Sequence, residues 1–494
     1  MQLSFNNIVK LKSKERSLLH TRGKMSKLAK RILIIVAFVV LALFCYGGYY
    51  LNDAMPIGTG HTAKYVCSKV FLADQDPEKV FEIEVEPSNP LFSIIDTEVN
   101  YELKTVTSKG FGFWSPATAI YREGFGCTLT TEVTRAELLE QVKGAVPQLR
   151  SDSESLWPAG EKIDLDSIPS EVNREKLDRV LDEVFKEPSS DSRRNTHAIV
   201  VVYKDRIIAE RYADHISRNS PLLGWSMTKS WTNALVGILV KDGKLDIMQP
   251  APIEAWRGGG DPRGKITLDQ LLRMSSGLEF EEVYGPSSDA VYMFYENKSM
   301  ADYAAAKALR TDPDGEWHYS SGTTNIIARI VRDRVGGSLV DVNKFARKRL
   351  FDRIGMFSAI IEPDASGSFV GSSYGFATAR DWARFGVLFK NDGIWEGERI
   401  LPEGWVKYST TPTPLAPKGQ YGAQFWLNAG EKDNPTNKRF PSLPNDLYYQ
   451  EGYNGQIVAV IPSIDIVFVR LGVTLDDSWN HDSVIKQVLE CIEM

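Results

Sequence analysis

The sequence predicts an α+β fold for residues 171–494, with an antiparallel sheet drawn from both ends of that stretch and helices drawn from its middle. Paired apolar runs joined by short turns lie near each end, which is typical of β-hairpins. Between them, apolar residues recur at helical spacing and helix-capping residues appear. Because strands and helices are segregated along the chain, a doubly wound parallel sheet is not expected.

The two predicted hairpins each combine two apolar strands with a two-residue turn. Strand, turn and strand are predicted at 197–203, 204–205 and 206–212, and again at 456–461, 462–463 and 464–471. A helical pattern over 479–493 closes the chain.

Helices in the middle of the stretch are predicted from different features. Met227, Trp231, Leu235 and Ile238 recur at the spacing of one helical face. A capping box that begins at Thr267 predicts the start of another helix. A further helix is predicted over 381–390. A central, mostly helical block therefore separates the two hairpins.

Residues 61–150 are expected to form a small β-rich accessory region. Two of its segments, 80–86 and 99–106, alternate between apolar and polar residues with the period of two that half-buried strands show. Residues 151–170 are polar and rich in turn-forming residues, which predicts a linker. The main domain is therefore predicted to cover 171–494.

Net charge divides the chain into two parts. Residues 1–31 hold nine basic residues and one acidic residue, a net charge of +8, so the remaining residues account for −14 of the overall −6. The composition is ordinary for a globular protein, with 43% hydrophobic and 25% charged residues. A modest overall charge and this composition argue against a nucleic-acid-binding protein and against global disorder.

Residues 32–51 form an uncharged apolar run of 20 residues, which is long enough to span a bilayer as one helix. The preceding basic tail predicts a single-pass signal-anchor with a cytoplasmic N-terminus, so that the rest of the chain is periplasmic or otherwise extracytoplasmic. A cleaved signal peptide and a lipoprotein modified at Cys45 are the alternatives. Translation from Met25 instead of Met1 is also left open.

The four cysteines are Cys45, Cys67, Cys127 and Cys491. In an oxidising compartment a disulfide between Cys67 and Cys127 is favoured, because both lie in the small region at 61–150. The alternative is a pair of buried free thiols. The six histidines are scattered and no Cys-x-x-Cys or His-x-x-x-His pair occurs, so neither a metal ion nor another cofactor is expected.

Ser226-Met-Thr-Lys229 is the leading candidate for a nucleophile and its base. At positions i and i+3 of a helix the two side chains share a face, so the lysine amine can reach the serine hydroxyl. A serine needs a base at neutral pH, and a lysine serves only if its surroundings lower its pKa. The N-terminus of the helix that follows would also stabilise developing negative charge.

Two other motifs compete with this assignment. A second Ser-x-x-Lys at 483–486, in the last helix, is interpreted as an exposed pair. Gly-Ser-Ser-Tyr-Gly at 371–375 matches a nucleophile elbow centred on Ser373, with Asp465 and His481 in triad order. The elbow is disfavoured because the residues before it are loop-like and the flanking α/β alternation is missing.

Five short segments are informative in combination and in this order along the chain. They are WSMTKS at 225–230, ITLDQLLRMSSGL at 266–278, WHYSSGTTN at 317–325, YGFATARDWARFGVL at 374–388 and GYNGQ at 452–456. In this combination the chain resembles the penicillin-recognising serine hydrolases, which include class C β-lactamases, DD-peptidases, related esterases and 6-aminohexanoate-dimer hydrolases. The resemblance covers about residues 190–494 and implies a class C β-lactamase-like fold.

The resemblance implies a second box of the form Tyr-x-Asn. Tyr319 fits its tyrosine, whose hydroxyl would relay a proton between nucleophile and leaving group, and Ser321 stands in place of the asparagine. A strict Tyr-x-Asn match at 295–297 is disfavoured because it lies in a charged stretch. The alternative for Tyr319 is an ordinary core tyrosine.

The resemblance also implies a third box on a strand that lines the site. Tyr453, Asn454 and Gly455 fill it, and the glycine would let substrate approach the strand backbone closely. Backbone N–H groups of Ser226 and Gln456 would form the oxyanion hole. The alternative is a glycine turn that simply opens a strand.

Two departures from the family pattern shape the expected function. Ser321 replaces asparagine and weakens polar contacts to Lys229 and substrate. Tyr453 replaces a residue that helps to bind a substrate carboxylate, which disfavours β-lactams and D-Ala-D-Ala peptides. We therefore expect a membrane-anchored serine hydrolase that cleaves a small-molecule ester or amide through an acyl-enzyme. The alternatives are a cell-wall D-Ala-D-Ala peptidase or β-lactamase, and a binding or sensor module without turnover.

Overall fold

The computed structural model describes residues 26–145, 154–189 and 192–493. Within the chain, Met1–Ala54 and Met55–Met494 form two separate units. Most of the predicted basic tail, the alternative start at Met25 and residues 151–153 of the predicted linker lie outside the described residues.

The first helix, α1 (Lys27–Phe71), contains the apolar run predicted at 32–51. Leu33, Phe38 and Phe44 in that run expose 58%, 71% and 78% of their surface. Its length, its apolar sequence and its place near the N-terminus make α1 a candidate membrane span or signal anchor.

A short helix and a small sheet follow α1. They are α2 (Pro77–Val80) and the antiparallel strands β1 (Ile95–Asn100), β2 (Thr105–Gly110), β3 (Trp114–Arg122) and β4 (Gly126–Leu129). The strands pair in the order β1-β2-β3-β4. The predicted strand at 99–106 was wrong in extent, because β1 ends and β2 begins within it and a tight turn joins them.

The segment 80–86 is helical, so the strand predicted there was wrong. Asp76 accepts hydrogen bonds from two backbone N–H groups and caps a helix whose first residue is Pro77. Glu84, which the alternation placed on an exposed face, is buried, and its carboxylate lies 2.8 Å from the Lys69 ammonium. The polar positions of this segment therefore do not share one exposed face, as those of a half-buried strand would.

A disulfide joins Cys67 on α1 to Cys127 on β4, which confirms the predicted pairing. The bond links residues 60 apart in sequence. It places the second half of α1 against the small sheet, and both contribute to one buried apolar cluster.

Replacing both cysteines with serine is expected to lower the free energy of unfolding by about 4 kcal/mol, because the cross-link restricts the unfolded chain over a long loop. Chemical denaturation of the detergent-solubilised protein would measure the loss. The exposed thiol Cys45 offers a matched control, since Cys45→Ser removes no cross-link. A double variant as stable as the control would contradict the expectation.

The remaining helices are α3 (Arg135–Glu140), α4 (Arg174–Val184), α5 (Thr228–Lys241), α6 (Leu268–Leu272), α7 (Asp289–Glu296), α8 (Met300–Ala305), α9 (Ser321–Val335), α10 (Leu339–Ala346), α11 (Ala379–Lys390), α12 (Trp405–Thr410) and α13 (His481–Leu489). The remaining strands are β5 (Thr196–Tyr203), β6 (Arg206–Tyr212), β7 (Leu222–Leu223), β8 (Ile360–Ile361), β9 (Gly375–Ala377), β10 (Ile394–Trp395), β11 (Glu398–Arg399), β12 (Trp426–Leu427), β13 (Tyr448–Gly452), β14 (Gln456–Ile461) and β15 (Ile466–Gly472).

The main sheet has six antiparallel strands in the order β12-β13-β14-β15-β5-β6. The two predicted hairpins are present as β5–β6 and β14–β15. Their pairing through β15 and β5 joins the two ends of the main domain in one sheet. The predicted α+β class, with strands from both ends and helices from the middle, is confirmed.

Both faces of the main sheet are covered. On β5, Val200 and Val202 belong to the larger apolar cluster, which includes α5, α9 and α11. Ile199 and Val201 face the other way, into a cluster that includes α4 and α13. Burial on both faces explains why β5 is a continuous apolar run and not an alternating one.

Residues 154–170 pack against the main domain where the structure describes them. The buried Arg384 guanidinium on α11 donates hydrogen bonds to the carbonyl oxygens of Pro158, at 2.8 Å, and Gly160, at 2.6 Å. A cation that binds two backbone carbonyls holds this segment in place.

Candidate active site

Ser226 lies in a 3₁₀ turn, Trp225–Met227, that leads directly into α5. The prediction placed it in the first turn of the helix, and the structure places it just before. Gly224 precedes the turn and has no room for a side chain, because a Cβ would overlap the ring of Trp382. Trp225 has a φ of +48°, a left-handed conformation that a bulky residue rarely adopts. The serine is therefore presented on a tightly constrained turn.

Lys229 lies one turn along α5 and its amine reaches the serine. Its Nζ is 3.2 Å from Ser226 Oγ, 3.0 Å from Ser321 Oγ and 3.0 Å from the carbonyl oxygen of Ser372. Only 1% of the lysine is exposed. Burial lowers the pKa of the Lys229 amine to about 8, and the negative charge of Glu282 partly opposes that shift. A substantial neutral fraction near pH 8 makes this amine able to accept a proton.

The partners of Lys229 also fix where its lone pair points. Ser321 Oγ donates its one hydrogen to Glu282 Oε1 at 2.5 Å, so it can only accept from the amine. The Ser372 carbonyl oxygen likewise only accepts. A neutral Lys229 amine has two hydrogens, and these two acceptors take both. The lone pair is then left for the hydroxyl of Ser226.

Glu282 was missed by sequence reasoning. It lies between α6 and α7 and also accepts a 2.7 Å hydrogen bond from the Ser321 backbone N–H and a 2.8 Å bond from the Tyr284 hydroxyl. No motif or periodicity marks it. The only available indication was an acidic residue shortly after the segment 266–278 that carries the family resemblance.

Glu282→Gln is expected to move the pH dependence of hydrolysis to lower pH, because the carboxylate raises the pKa of Lys229. It is also expected to lower kcat/KM by about tenfold to a hundredfold, since Ser321 would no longer be held as an acceptor. Initial rates between pH 6 and pH 10 measure both effects. Glu281→Gln changes the exposed neighbour and is the control. An unshifted profile would mean that Glu282 only supports the loop.

Tyr319 lies beside the same pair. The Lys229 Nζ is 4.8 Å from the centre of its ring. Burial, followed by the charge of Glu282, raises the pKa of Tyr319 above its ordinary value, so the phenol carries its proton at neutral pH. The competing Tyr295 lies on α7, where its hydroxyl meets His61 Nδ1 at 2.8 Å.

The third box forms the turn between β13 and β14. Gly452, just before it, has no room for a side chain because a Cβ would overlap the carbonyl oxygen of Gly224. The end of β13 is therefore in direct contact with the residue that precedes the Trp225–Met227 turn. Tyr453 is 52% exposed, and its ring lies 6.0 Å from Trp225 and 5.6 Å from Tyr284. This position presents an aromatic surface.

Arg470 on β15 holds the turn between β13 and β14 through hydrogen bonds. Its buried guanidinium donates to the carbonyl oxygens of Asn454 at 3.0 Å and Gly455 at 2.9 Å. Gly455 has a φ of +83°, which favours glycine, and a Cβ there would approach Arg470. The Gln456 side chain is buried and accepts a 2.9 Å hydrogen bond from the backbone N–H of Gly472. The positive φ therefore explains the glycine at position 455. The side chain of Gln456 has a structural role, because it binds the backbone of β15.

The second half of α1 packs against the residue that precedes Ser226. Tyr65 stacks on Trp225 with ring centres 6.0 Å apart. The ammonium of the preceding residue, Lys64, is buried and pairs with the carboxylate of Glu362, which follows β8. Trp225 is therefore packed against the same helix that carries the apolar run in its first half.

The competing triad residues have other partners. Ser373 is 3% exposed, and its Oγ lies 2.9 Å from Ser372 Oγ. Asp465 pairs with Lys390, and His481 accepts a 2.9 Å hydrogen bond from the Trp479 indole. Ser483 of the other Ser-x-x-Lys is exposed on α13. Across the part of the chain that the structure describes, no group of three or more His, Cys, Asp or Glu side chains is placed to hold a metal ion.

Known proteins share this architecture. The sequence profile of the Beta-lactamase family matches residues 181–482. A 6-aminohexanoate-dimer hydrolase from Paenarthrobacter ureafaciens is 26% identical over 315 residues, 58% of this chain and 74% of that protein. A solved structure from Bacillus anthracis, provisionally assigned as a 6-aminohexanoate-dimer hydrolase, aligns with TM-score 0.50 and 23% identity over 66% of this chain and 84% of that one. A family VIII carboxylesterase structure aligns with TM-score 0.51 and 15% identity over 66% and 98%.

The family match covers more than half of the chain, including the segments that hold Ser226, Tyr319 and Tyr453. The chain belongs to the beta-lactamase family, which confirms the resemblance to penicillin-recognising serine hydrolases. It is accordingly an enzyme of the serine hydrolase class.

Proposed function

We propose that this protein cleaves a small-molecule ester or amide through an acyl-enzyme on Ser226. The observation that carries the proposal is the buried Lys229 amine, 3.2 Å from Ser226 Oγ, whose pKa burial lowers to about 8. A lysine that is neutral at the operating pH is what a weak serine nucleophile requires of its base.

In the proposed reaction Ser226 Oγ attacks the acyl carbon as its proton passes to the Lys229 amine. Tyr319 hands its phenolic proton to the leaving group and regains one from the Lys229 ammonium, the bond from the acyl carbon to the leaving group breaks, and the acyl-enzyme forms. A water molecule then attacks the ester carbon and gives a proton to the Lys229 amine. The bond from the acyl carbon to Ser226 Oγ breaks, and that proton passes through Tyr319 to Ser226 Oγ, which restores the serine. The backbone N–H groups of Ser226 and Gln456 would hold the oxyanion.

The proposed substrate is uncharged or apolar near the third box. Tyr453 and Tyr284 offer aromatic surface beside Trp225 there, and Asn454 and Gly455 form a turn whose carbonyl oxygens are already bonded to Arg470. Aromatic faces favour apolar groups and give no ionic partner to a carboxylate. The relative named as a 6-aminohexanoate-dimer hydrolase supports a screen of linear amides beside esters.

Turnover of a p-nitrophenyl ester and covalent labelling by a fluorophosphonate test the chemistry together. Ser226→Ala is expected to abolish both, and Ser373→Ala, which alters the competing buried serine, is expected to preserve both. The opposite pattern would overturn the assignment. Labelling without product release would indicate a binding or sensor module, and release of D-alanine from D-Ala-D-Ala peptides would indicate a cell-wall peptidase.

We propose that α1 anchors the enzyme in a membrane, with the N-terminus cytoplasmic and the hydrolase domain periplasmic or otherwise extracytoplasmic. The basic tail before an uncharged run of 20 residues supports the orientation, and the Cys67–Cys127 disulfide supports an oxidising compartment. In this view residues 61–150 are an accessory region between anchor and hydrolase. Alkaline extraction of membranes and protease access in intact cells test it, and a chain released by alkali would contradict it.

A further inference from the structure

Two aromatic side chains project from the turn that joins β2 to β3. Phe111 is 53% exposed and Phe113 is 79% exposed, with Gly112 between them. Single exposed apolar residues are common on protein surfaces, but two exposed phenylalanines on one tight turn form a small hydrophobic patch.

The backbone of this turn is unfavourable for its first aromatic residue. Phe111 has a φ of +50° and Gly112 a φ of +76°, and the Phe113 N–H donates to the Gly110 carbonyl oxygen at 3.1 Å. Two consecutive residues with positive φ define a hairpin turn that favours Asn, Asp or Gly at its first central position. A phenylalanine at this position strains the backbone and destabilises the turn. Its presence suggests that the exposed ring has a function.

The turn lies beside the residue that follows the apolar run. Gly110 packs so closely on Met55 that a Cβ would overlap the methionine sulfur. Met55 comes four residues after Leu51, the last residue of the run. Four residues span at most about 14 Å even when fully extended. The chain therefore holds Phe111 and Phe113 near the bilayer surface wherever the run leaves the membrane.

We propose that the Phe111–Phe113 turn is a second membrane contact, whose two rings insert into the interfacial region of the lipid bilayer. In proteins that bind a membrane surface, exposed Trp, Phe and Leu side chains are buried at the boundary between headgroups and acyl chains. Together with the anchor, the contact would fix how the hydrolase domain faces the membrane. This inference rests on the proposed membrane anchor.

The opposite end of the same sheet supplies a matched control. Leu103 lies in the turn between β1 and β2 and is 48% exposed. The adjacent Tyr101 packs on Phe71, 5.8 Å between ring centres, at the far end of α1. Phe71 is 16 residues beyond Met55, or about 24 Å along a helix. Leu103 is therefore an exposed apolar residue that is remote from the point where the chain leaves the membrane.

The test uses the full chain in phosphatidylcholine–phosphatidylglycerol vesicles, with Cys45→Ser and Cys491→Ser removing the free thiols. Phe113→Cys and Leu103→Cys are each labelled with an environment-sensitive fluorophore, and lipids with a shallow doxyl group serve as quencher. The Phe113→Cys label is expected to emit at shorter wavelength and to be quenched at least twofold more than the Leu103→Cys label. Equal quenching would overturn the inference.

Flotation and alkaline extraction of the same vesicles separate the two proposals. A chain that floats and resists alkali, but whose Phe113→Cys label is not quenched, keeps the anchor and overturns the second contact. A chain that does not float overturns both. The Phe113→Cys label could also shift to shorter wavelength as the protein-to-lipid ratio rises, without being quenched by doxyl lipid. That result would indicate contact with a second copy of the chain and would overturn the lipid contact.

One further variant separates the ring from the turn. Phe111→Asn suits the positive φ at this position, so we expect it to keep the fold and the ester hydrolysis of the detergent-solubilised enzyme. In vesicles it is expected to reduce the doxyl quenching of the Phe113→Cys label. Undiminished quenching would remove Phe111 from the proposed contact.

Discussion

Lys229→Met is expected to lower kcat/KM for a p-nitrophenyl ester by about three orders of magnitude, because it removes the only proposed proton acceptor within reach of Ser226. Methionine keeps much of the buried side-chain volume, so the fold is expected to survive. The wild-type rate is expected to rise with pH through about 8, where the buried amine loses its proton. That rise is expected to disappear in the variant.

Lys241→Met is the matched control, since Lys241 lies at the exposed end of the same helix and donates to the Arg399 carbonyl oxygen. It is expected to keep both the rate and the pH profile. Steady-state kinetics between pH 6 and pH 10 measure both variants. A Lys229→Met enzyme that retained the rise near pH 8 would show that another group is the base.

Lys64→Met is expected to lower the free energy of unfolding by about 3–5 kcal/mol, since it strands a buried charge. The Glu362 side chain is 0% exposed and also accepts hydrogen bonds from Ser68 Oγ at 2.9 Å and the Cys127 backbone N–H at 2.5 Å. Without Lys64 the buried carboxylate loses its ion-pair partner. Thermal and chemical denaturation of the solubilised protein measure the loss.

The sign of the pH dependence follows from the carboxyl group. Burial raises the pKa of Glu362 above its ordinary value of 4.5, so the folded state holds its proton more tightly than the unfolded state does. Stability from such a group is complete below the unfolded pKa and is lost as pH rises through the folded pKa. The Lys64 charge opposes this shift, so Lys64→Met is expected to raise the pKa of Glu362 further. The deficit of Lys64→Met relative to wild type is therefore expected to be small near pH 5, where the variant holds the proton, and larger at pH 8.

Two variants decide whether the charge is responsible. Adding Glu362→Gln to Lys64→Met removes the stranded charge and is expected to recover part of the stability. Lys143→Met breaks an exposed pair with Glu140, in which 71% and 66% of the side chains are exposed, and is expected to cost under about 1 kcal/mol. A Lys64→Met deficit no greater than that of Lys143→Met would contradict the expectation.

Local patterns predicted what depends on near neighbours in sequence. Both hairpins of the main sheet were predicted because their strands are apolar and their turns short, and the i, i+3 spacing placed Lys229 next to Ser226 as expected. The Cys67–Cys127 disulfide followed from two cysteines in one small region. The strand predicted at 80–86 was wrong because the pattern treats Glu84 as exposed. Its burial depends on Lys69, a residue outside the segment.

The sequence by itself determined the fold class and the family resemblance, because strand pairs, helical spacing and short contiguous motifs carry them. Only the tertiary structure decided the surroundings of the Lys229 amine, since its partners Ser321 and Ser372 and the charge of Glu282 come from three distant segments. Burial, which lowers the pKa of its amine to about 8, is a property of the packed interior. Folding likewise brought α1 against Trp225, a contact across more than 150 residues that no local pattern encodes.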